Sequence, residues 1–87
     1  MVFPVVIHKE KDSDYGISVP DLPGCISAGE TIDEAIAMIR EAIELHVEGL
    51  IEDGEAVPVL RTIDAILAAG EYADATAFAV VQETSIL

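Results

Sequence analysis

Residues 20–35 read Pro-Asp-Leu-Pro-Gly-Cys-Ile-Ser-Ala-Gly-Glu-Thr-Ile-Asp-Glu-Ala, and the passage from strand to helix in this run decides the fold. Pro20 and Pro23 each fix φ and Gly24 is free to take a positive one, so the first five residues form a turn. The apolar pair Cys25-Ile26 then reads as a short strand. Thr31 and Glu34 stand at capping-box spacing, with the Thr hydroxyl accepting from the third helical N–H and the Glu reaching back to the cap. A helix starts there.

Downstream, Ala35, Ile36, Ile39, Ala42, Ile43, His46, Val47 and Leu50 recur at steps of three and four, one apolar stripe that runs to about Ile51. Asp53-Gly54 ends this helix through the left-handed preference of glycine after a C-terminus. Thr62 caps a shorter helix over residues 63–69, carrying Ile63, Ile66 and Leu67 and stopped by Gly70. Upstream, residues 2–9 (VFPVVIHK) are β-rich, and Glu10-Lys11-Asp12-Ser13-Asp14 makes the turn of a hairpin. Tyr15, Ile17 and Val19 alternate with Gly16, Ser18 and Pro20, the period of a strand with one buried face. Residues 76–84, rich in β-branched and apolar side chains, form a last strand. The order is β-β-β-α-α-β, an α+β chain without repeats or low-complexity tracts.

A length of 87 residues with 52% hydrophobic content suits one domain over residues 1–87 with a single core. Cys25 is the only cysteine, so no internal disulfide supports that core, in keeping with a reducing, cytoplasmic setting. Seventeen carboxylates face four bases, Lys9, Lys11, Arg40 and Arg61, for a net charge of −13. Phosphate recognition needs clustered Lys and Arg, so direct nucleic-acid binding is not expected. No basic-then-apolar leader and no membrane-length apolar run is present, which points away from a membrane partner.

The run Pro20-Asp21-Leu22-Pro23-Gly24-Cys25, with Gly29-Glu30-Thr31 and Asp33-Glu34-Ala35, resembles the signature of HicB antitoxins and their stand-alone relatives. The similarity continues through Glu41-Ala42-Ile43, Glu48-Gly49-Leu50 and Glu52-Asp53-Gly54-Glu55 to Glu71-Tyr72-Ala73-Asp74. This resemblance implies a partial RNase H-like fold: three antiparallel strands, helices packed on the sheet, and a last strand beside the first and parallel to it. It also implies a non-catalytic antitoxin of a type II toxin–antitoxin pair that binds and masks a basic, mRNA-cleaving HicA-like toxin. Many members carry a further helix-turn-helix or ribbon-helix-helix segment, which this sequence, ending at Leu87, does not match. Operator binding by this chain is therefore not expected, whether the chain is a shortened antitoxin or a stand-alone relative. The alternative function is a stand-alone oligomeric HicB-like binding or scaffold protein with no toxin partner.

The candidate residues fit binding better than catalysis. An RNase H-like nuclease holds metal ions with converging carboxylates, one of them central in the first strand, and residues 2–9 contain none. That leaves a residual metal-dependent nuclease as the weakest reading. His46 lies on the apolar stripe without a second ligand at metal spacing and is expected to pack, His8 to sit at the surface, and Cys25 to be buried and inert. No cofactor or metal is expected. Glu41, Glu44, Glu48 and Glu52 recur at steps of three and four, forming either a solvated helix face or a docking face for a basic partner. Tyr15, Asp21 and Leu22 are the second candidate contact surface, unless the turn simply packs Leu22. Residues 76–84 lack Lys and Pro, so this edge is a candidate for homo-oligomerisation into a dimer or tetramer, unless it is covered within the monomer.

The isolated chain is expected neither to cleave RNA with added Mg²⁺ nor to retard operator-length DNA at about 0.15 M salt. Gel-shift and cleavage assays check this, and submicromolar DNA binding would contradict the charge argument.

Overall fold

The computed structural model describes residues 1–84, and residues 85–87, the end of the expected domain, lie outside the described residues. Its first strand, β1 (Val2–Lys9), is buried at successive positions from Phe3 to Ile7. A strand buried on both faces needs a covering layer on each. β1 pairs antiparallel with β2 (Tyr15–Ser18), and β2 with β3 (Ile26–Gly29). Two helices follow, α1 (Ile32–Glu52) and α2 (Ile63–Ala69), then β4 (Ala77–Gln82), and the sheet order is β3-β2-β1-β4.

Alternation puts Phe3, Val5 and Ile7 on one face of β1. There they join Ile17, Val19, Val81 and the buried stripe of α1, Ala35, Ile39, Ile43 and Val47, in the main core. The opposite face carries Pro4 and Val6, also buried, and α2 contributes Ile66 at 1% exposure. Ile63 shares a groove with Val2 and Pro4, and the Tyr72 ring, beyond α2, lies 6.4 Å from that of His8. α2 therefore runs along the second face from the Pro4 end to the His8 end, and the sheet is sandwiched between the helices.

This placement corrects the direction expected for the last strand, because β4 pairs with β1 antiparallel, from Val2↔Gln82 to Ile7↔Ala77. α1 starts against Gly29 and passes Ile26, so it runs back along β3; without α2, the return strand would be parallel to β1. α2 adds a second traverse and reverses it. The Thr76 N–H meets Ile7 O at 2.8 Å as β4 begins, and the Glu83 N–H reaches Met1 O at 2.9 Å where it ends.

Local chemistry fixes each end. Thr31 Oγ1 accepts from the Glu34 N–H at 3.0 Å, while Glu34 Oε1 accepts from the N–H of Glu30 at 3.1 Å, one residue before the expected cap amide. At the far end the Gly54 N–H donates to Ile51 O and the Glu55 N–H to Leu50 O, which satisfies two terminal carbonyls. Thr62 Oγ1 caps α2 through the Ala65 N–H. β2 ends two residues earlier than its alternation suggests, although the Val19 N–H still bonds Cys25 O at 3.1 Å. β3 starts at Ile26, with Cys25 held in the loop by its N–H to Leu22 O.

Gly29 allows α1 to sit directly on β3, since a Cβ there would come within 2.5 Å of Ala35 N. Pro4 is tolerated inside β1 for a related reason. Met1 and Glu83 exchange two hydrogen bonds, and by alternation Pro4 and Val80 form a non-hydrogen-bonded pair, so β4 requires no N–H from Pro4. On its other side the β2 ladder stops at Val6↔Ser18.

Thr31→Ala should destabilise by about 1 kcal/mol through loss of the cap, and Ile39→Ala or Ile43→Ala by about 2–5 kcal/mol through cavities under α1. Urea melts check this, and equal losses at all three would place the apolar stripe away from the core.

Candidate partner-binding surface

The signature loop between β2 and β3 is built inward. Leu22 is fully buried in the main core, so the turn packs it, and it offers no surface to a partner in this conformation. Gly24 takes φ +86°, a conformation that side-chain-bearing residues rarely adopt. Asp21 is held by a residue forty positions away: its Oδ2 accepts from the Arg61 N–H at 2.8 Å and its Oδ1 from Arg61 Nε at 2.7 Å. Arg61 Nη1 also donates to Glu71 Oε2 at 2.7 Å. The bonds to Glu71 and then Asp21 push the guanidinium above its ordinary pKa, so it stays charged. This clamp ties the β2–β3 loop to the segment entering α2 and to the turn after it. Tyr15 lies at the opposite end of β2, half-buried, with Lys9 Nζ 5.6 Å from its ring centroid. Tyr15, Asp21 and Leu22 therefore do not form one surface.

The carboxylates of α1 do come together. Glu41, Glu48 and Glu52 are exposed on the side opposite the core stripe, and Glu44, half-buried, flanks them. Leu45, 65% exposed, sits among them and leads to a notch of about 330 Å³ between α1 and the start of β3. Ile26 at 70% exposure, Ala42, Leu45 and His46 line that notch, with Cys25 behind. His46 is half-buried at this rim rather than packed in the core, and His8 is half-buried against Tyr72. Burial raises the Cys25 thiol pKa, which keeps it protonated and unreactive. Among the described residues, no group of three or more His, Cys, Asp or Glu converges as a metal site, and no helix is long and apolar enough to cross a membrane.

The profile of the HicB-like antitoxin of bacterial toxin–antitoxin system matches residues 3–86. This chain belongs to the HicB-like antitoxin family. Its fold matches the N-terminal domain of Burkholderia pseudomallei antitoxin HicB with a TM-score of 0.83 and 49% identity, covering 97% of this chain and 99% of that one. Against the longer Burkholderia pseudomallei HicB structure the TM-score is 0.86, with 98% of this chain and 64% of that chain covered. An uncharacterised 14.9 kDa protein of Haemophilus phage HP1 is 45% identical over 74 residues, 85% of this chain and 55% of its own length. The chain thus spans about half of that relative. A chain of the HicA3 and HicB3 toxin–antitoxin complex shares the fold at 23% identity with a TM-score of 0.76, covering 94% of this chain and 96% of that one.

Sequence reading alone did not reach the clamp, because nothing local connects Asp21 with Arg61. Asp21→Ala should lower the urea midpoint and speed amide exchange at Arg61, while Glu71→Ala, which loses the more exposed contact, should lower it less. A larger loss for Glu71→Ala than for Asp21→Ala would mean that the clamp is held from the Glu71 side.

Proposed function

We propose that this chain is the antitoxin of a type II toxin–antitoxin pair, a cytoplasmic protein without catalysis that binds and masks a basic, mRNA-cleaving HicA-like toxin. The observation that carries this reading is the acidic outer face of α1 within a HicB-type domain. Glu41, Glu48 and Glu52 surround exposed Leu45, so a basic partner would find both complementary charge and an apolar anchor. Like-charge neighbours at i,i+4 cost a helix a few tenths of a kcal/mol, about what a bound cationic surface would return. Glu44 flanks this face, Tyr15 lies outside it, and Asp21 serves the loop clamp. Neither direct nucleic-acid binding nor a membrane partner belongs to this reading, since the bases are few and scattered.

A second reading, a stand-alone oligomeric binding protein, is favoured by one observation: among the described residues β4 is an edge strand, and it has no charged residue from Thr76 to Gln82. Self-association through that edge is compatible with toxin masking, because the edge and the acidic face involve different elements. The residual nuclease has no comparable support in the arrangement of carboxylates.

Adding the chain to a HicA-like ribonuclease encoded beside it should abolish RNA cleavage at a stoichiometric ratio. In the Glu41→Lys/Glu48→Lys variant the association rate at low salt should fall about tenfold or more and lose its steep salt dependence, with the thermal midpoint little changed. Undiminished cleavage would overturn the antitoxin reading. Inhibition with an unchanged association rate would leave that reading and move the docking surface off α1.

A further inference from the structure

Between the sheet and the segment from Arg61 to Ala75 the packing is thin. Of these residues Ile66 alone is buried, while Arg61, Ile63, Tyr72 and Ala75 are half-buried. A groove of about 410 Å³ follows the seam, with Leu60, Thr62 and Ile63 on one side and Val2, Pro4 and Val80 on the other. The seven residues of α2 fall short of the roughly 12–15 that a helix needs to hold by itself in water. Ile66 and the Arg61–Asp21 pair are therefore the main attachments of this segment to the rest of the molecule.

The bonds of Arg61 divide into two kinds. Glu71 lies on the same segment, so its bond to Arg61 Nη1 braces the two ends of α2 against each other. Asp21 lies on the β2–β3 loop, and its two bonds to Arg61 cross from the segment to the body of the fold. That loop has support of its own, because Leu22 is fully buried and the N–H groups of Val19, Leu22 and Cys25 bond carbonyls within residues 19–25. Losing Arg61 leaves it in place. Asp21 is thus a fixed post, and the segment is the part that can move. Both of its ends are anchored: Val57 and Leu60 pack against the main core upstream, and the Thr76 N–H holds Ile7 O at 2.8 Å where the β1–β4 ladder begins.

We propose that residues 61–75 form a latched strap that swings off the sheet as one unit when Arg61 leaves Asp21, with α1 and the β3-β2-β1-β4 sheet still in place. The brace to Glu71 keeps α2 and the turn after it together, so they leave as one piece. The groove is the seam along which they part. Opening bares Pro4, Val6 and Phe78, which share the second face because Val6 pairs with Phe78 and Pro4 with Val80. The acidic face of α1, on the other side of the sheet, is untouched, and the strap does not depend on the function proposed above.

Native-state hydrogen exchange separates this opening from global unfolding. In the wild-type chain the amides of Ile66 and Gly70, bonded to Thr62 O and Leu67 O, should exchange with a shallow dependence on urea. The ladder amides of Val5 and Ala79 should show a steep one, because they are freed only when the sheet comes apart. Ile39→Ala removes packing under α1 that the closed and open strap share. It should speed Val5 and Ala79 by about thirtyfold or more and leave Ile66 and Gly70 unchanged. Asp21→Ala favours every state without the latch, so all four amides should speed up by one common factor of about tenfold or more. Equal acceleration of Ile66 and Val5 in Ile39→Ala would mean that the strap opens only with the whole molecule and would overturn the proposal. Equally steep urea slopes in the wild-type chain would do the same, and that measurement needs no variant to fold. An unchanged Ile66 rate in Asp21→Ala would show α2 fraying without the latch, which also overturns it.

Discussion

Burial of β1 on both faces is the constraint from which the rest of the structure follows. Phe3, Val5 and Ile7 need one cover and Pro4 and Val6 need another, and a single helix supplies only one. α1 closes the first face with a long stripe. The second face is closed by a helix of seven residues, and carrying the chain through that short helix reverses the direction of β4. The position of α2, the antiparallel ladder and the orientation of the free edge are thus one decision.

Polar contacts hold this arrangement where apolar packing is thin. The segment between α1 and α2 has no regular structure over residues 55–62, yet Arg61 pins it to Asp21 through both its backbone and its side chain. The signature loop therefore serves the fold twice, by burying Leu22 and by presenting Asp21 to Arg61. Short, charge-assisted bonds of this kind give geometric definition as well as energy. The exposed surface is divided in character: acidic with an apolar notch along α1, uncharged along β4.

Element boundaries were legible because their signals are local. Thr31, Thr62, Gly54 and Gly70 mark helix ends within a turn of where they act, and the alternation of Tyr15, Ile17 and Val19 needs no distant partner. The direction of β4 was not legible in this way, since a resemblance in topology does not say how many times the chain crosses the sheet. A hint was present, because VFPVVI is apolar without alternation, the pattern of a strand covered on two sides. Of the candidate site, the acidic stripe on α1 followed from helical periodicity. The division of Tyr15, Asp21 and Leu22 among a hairpin end, a clamp and the core depends on contacts tens of residues apart.

The bond between Met1 and Glu83 joins residues 82 positions apart, and its ladder has a consequence for how the chain acquires its shape during synthesis. β1, β2, β3 and α1 meet through short connections and can collapse early, whereas β4 must close nearly the entire chain before it pairs. Until residues 77–82 leave the ribosome, the outer edge of β1 stays open and Val6 stays uncovered by Phe78. The nascent protein thus passes through a stage in which its most deeply buried strand is an unguarded edge. An apolar edge left open in this way is the species most exposed to mispairing until β4 docks.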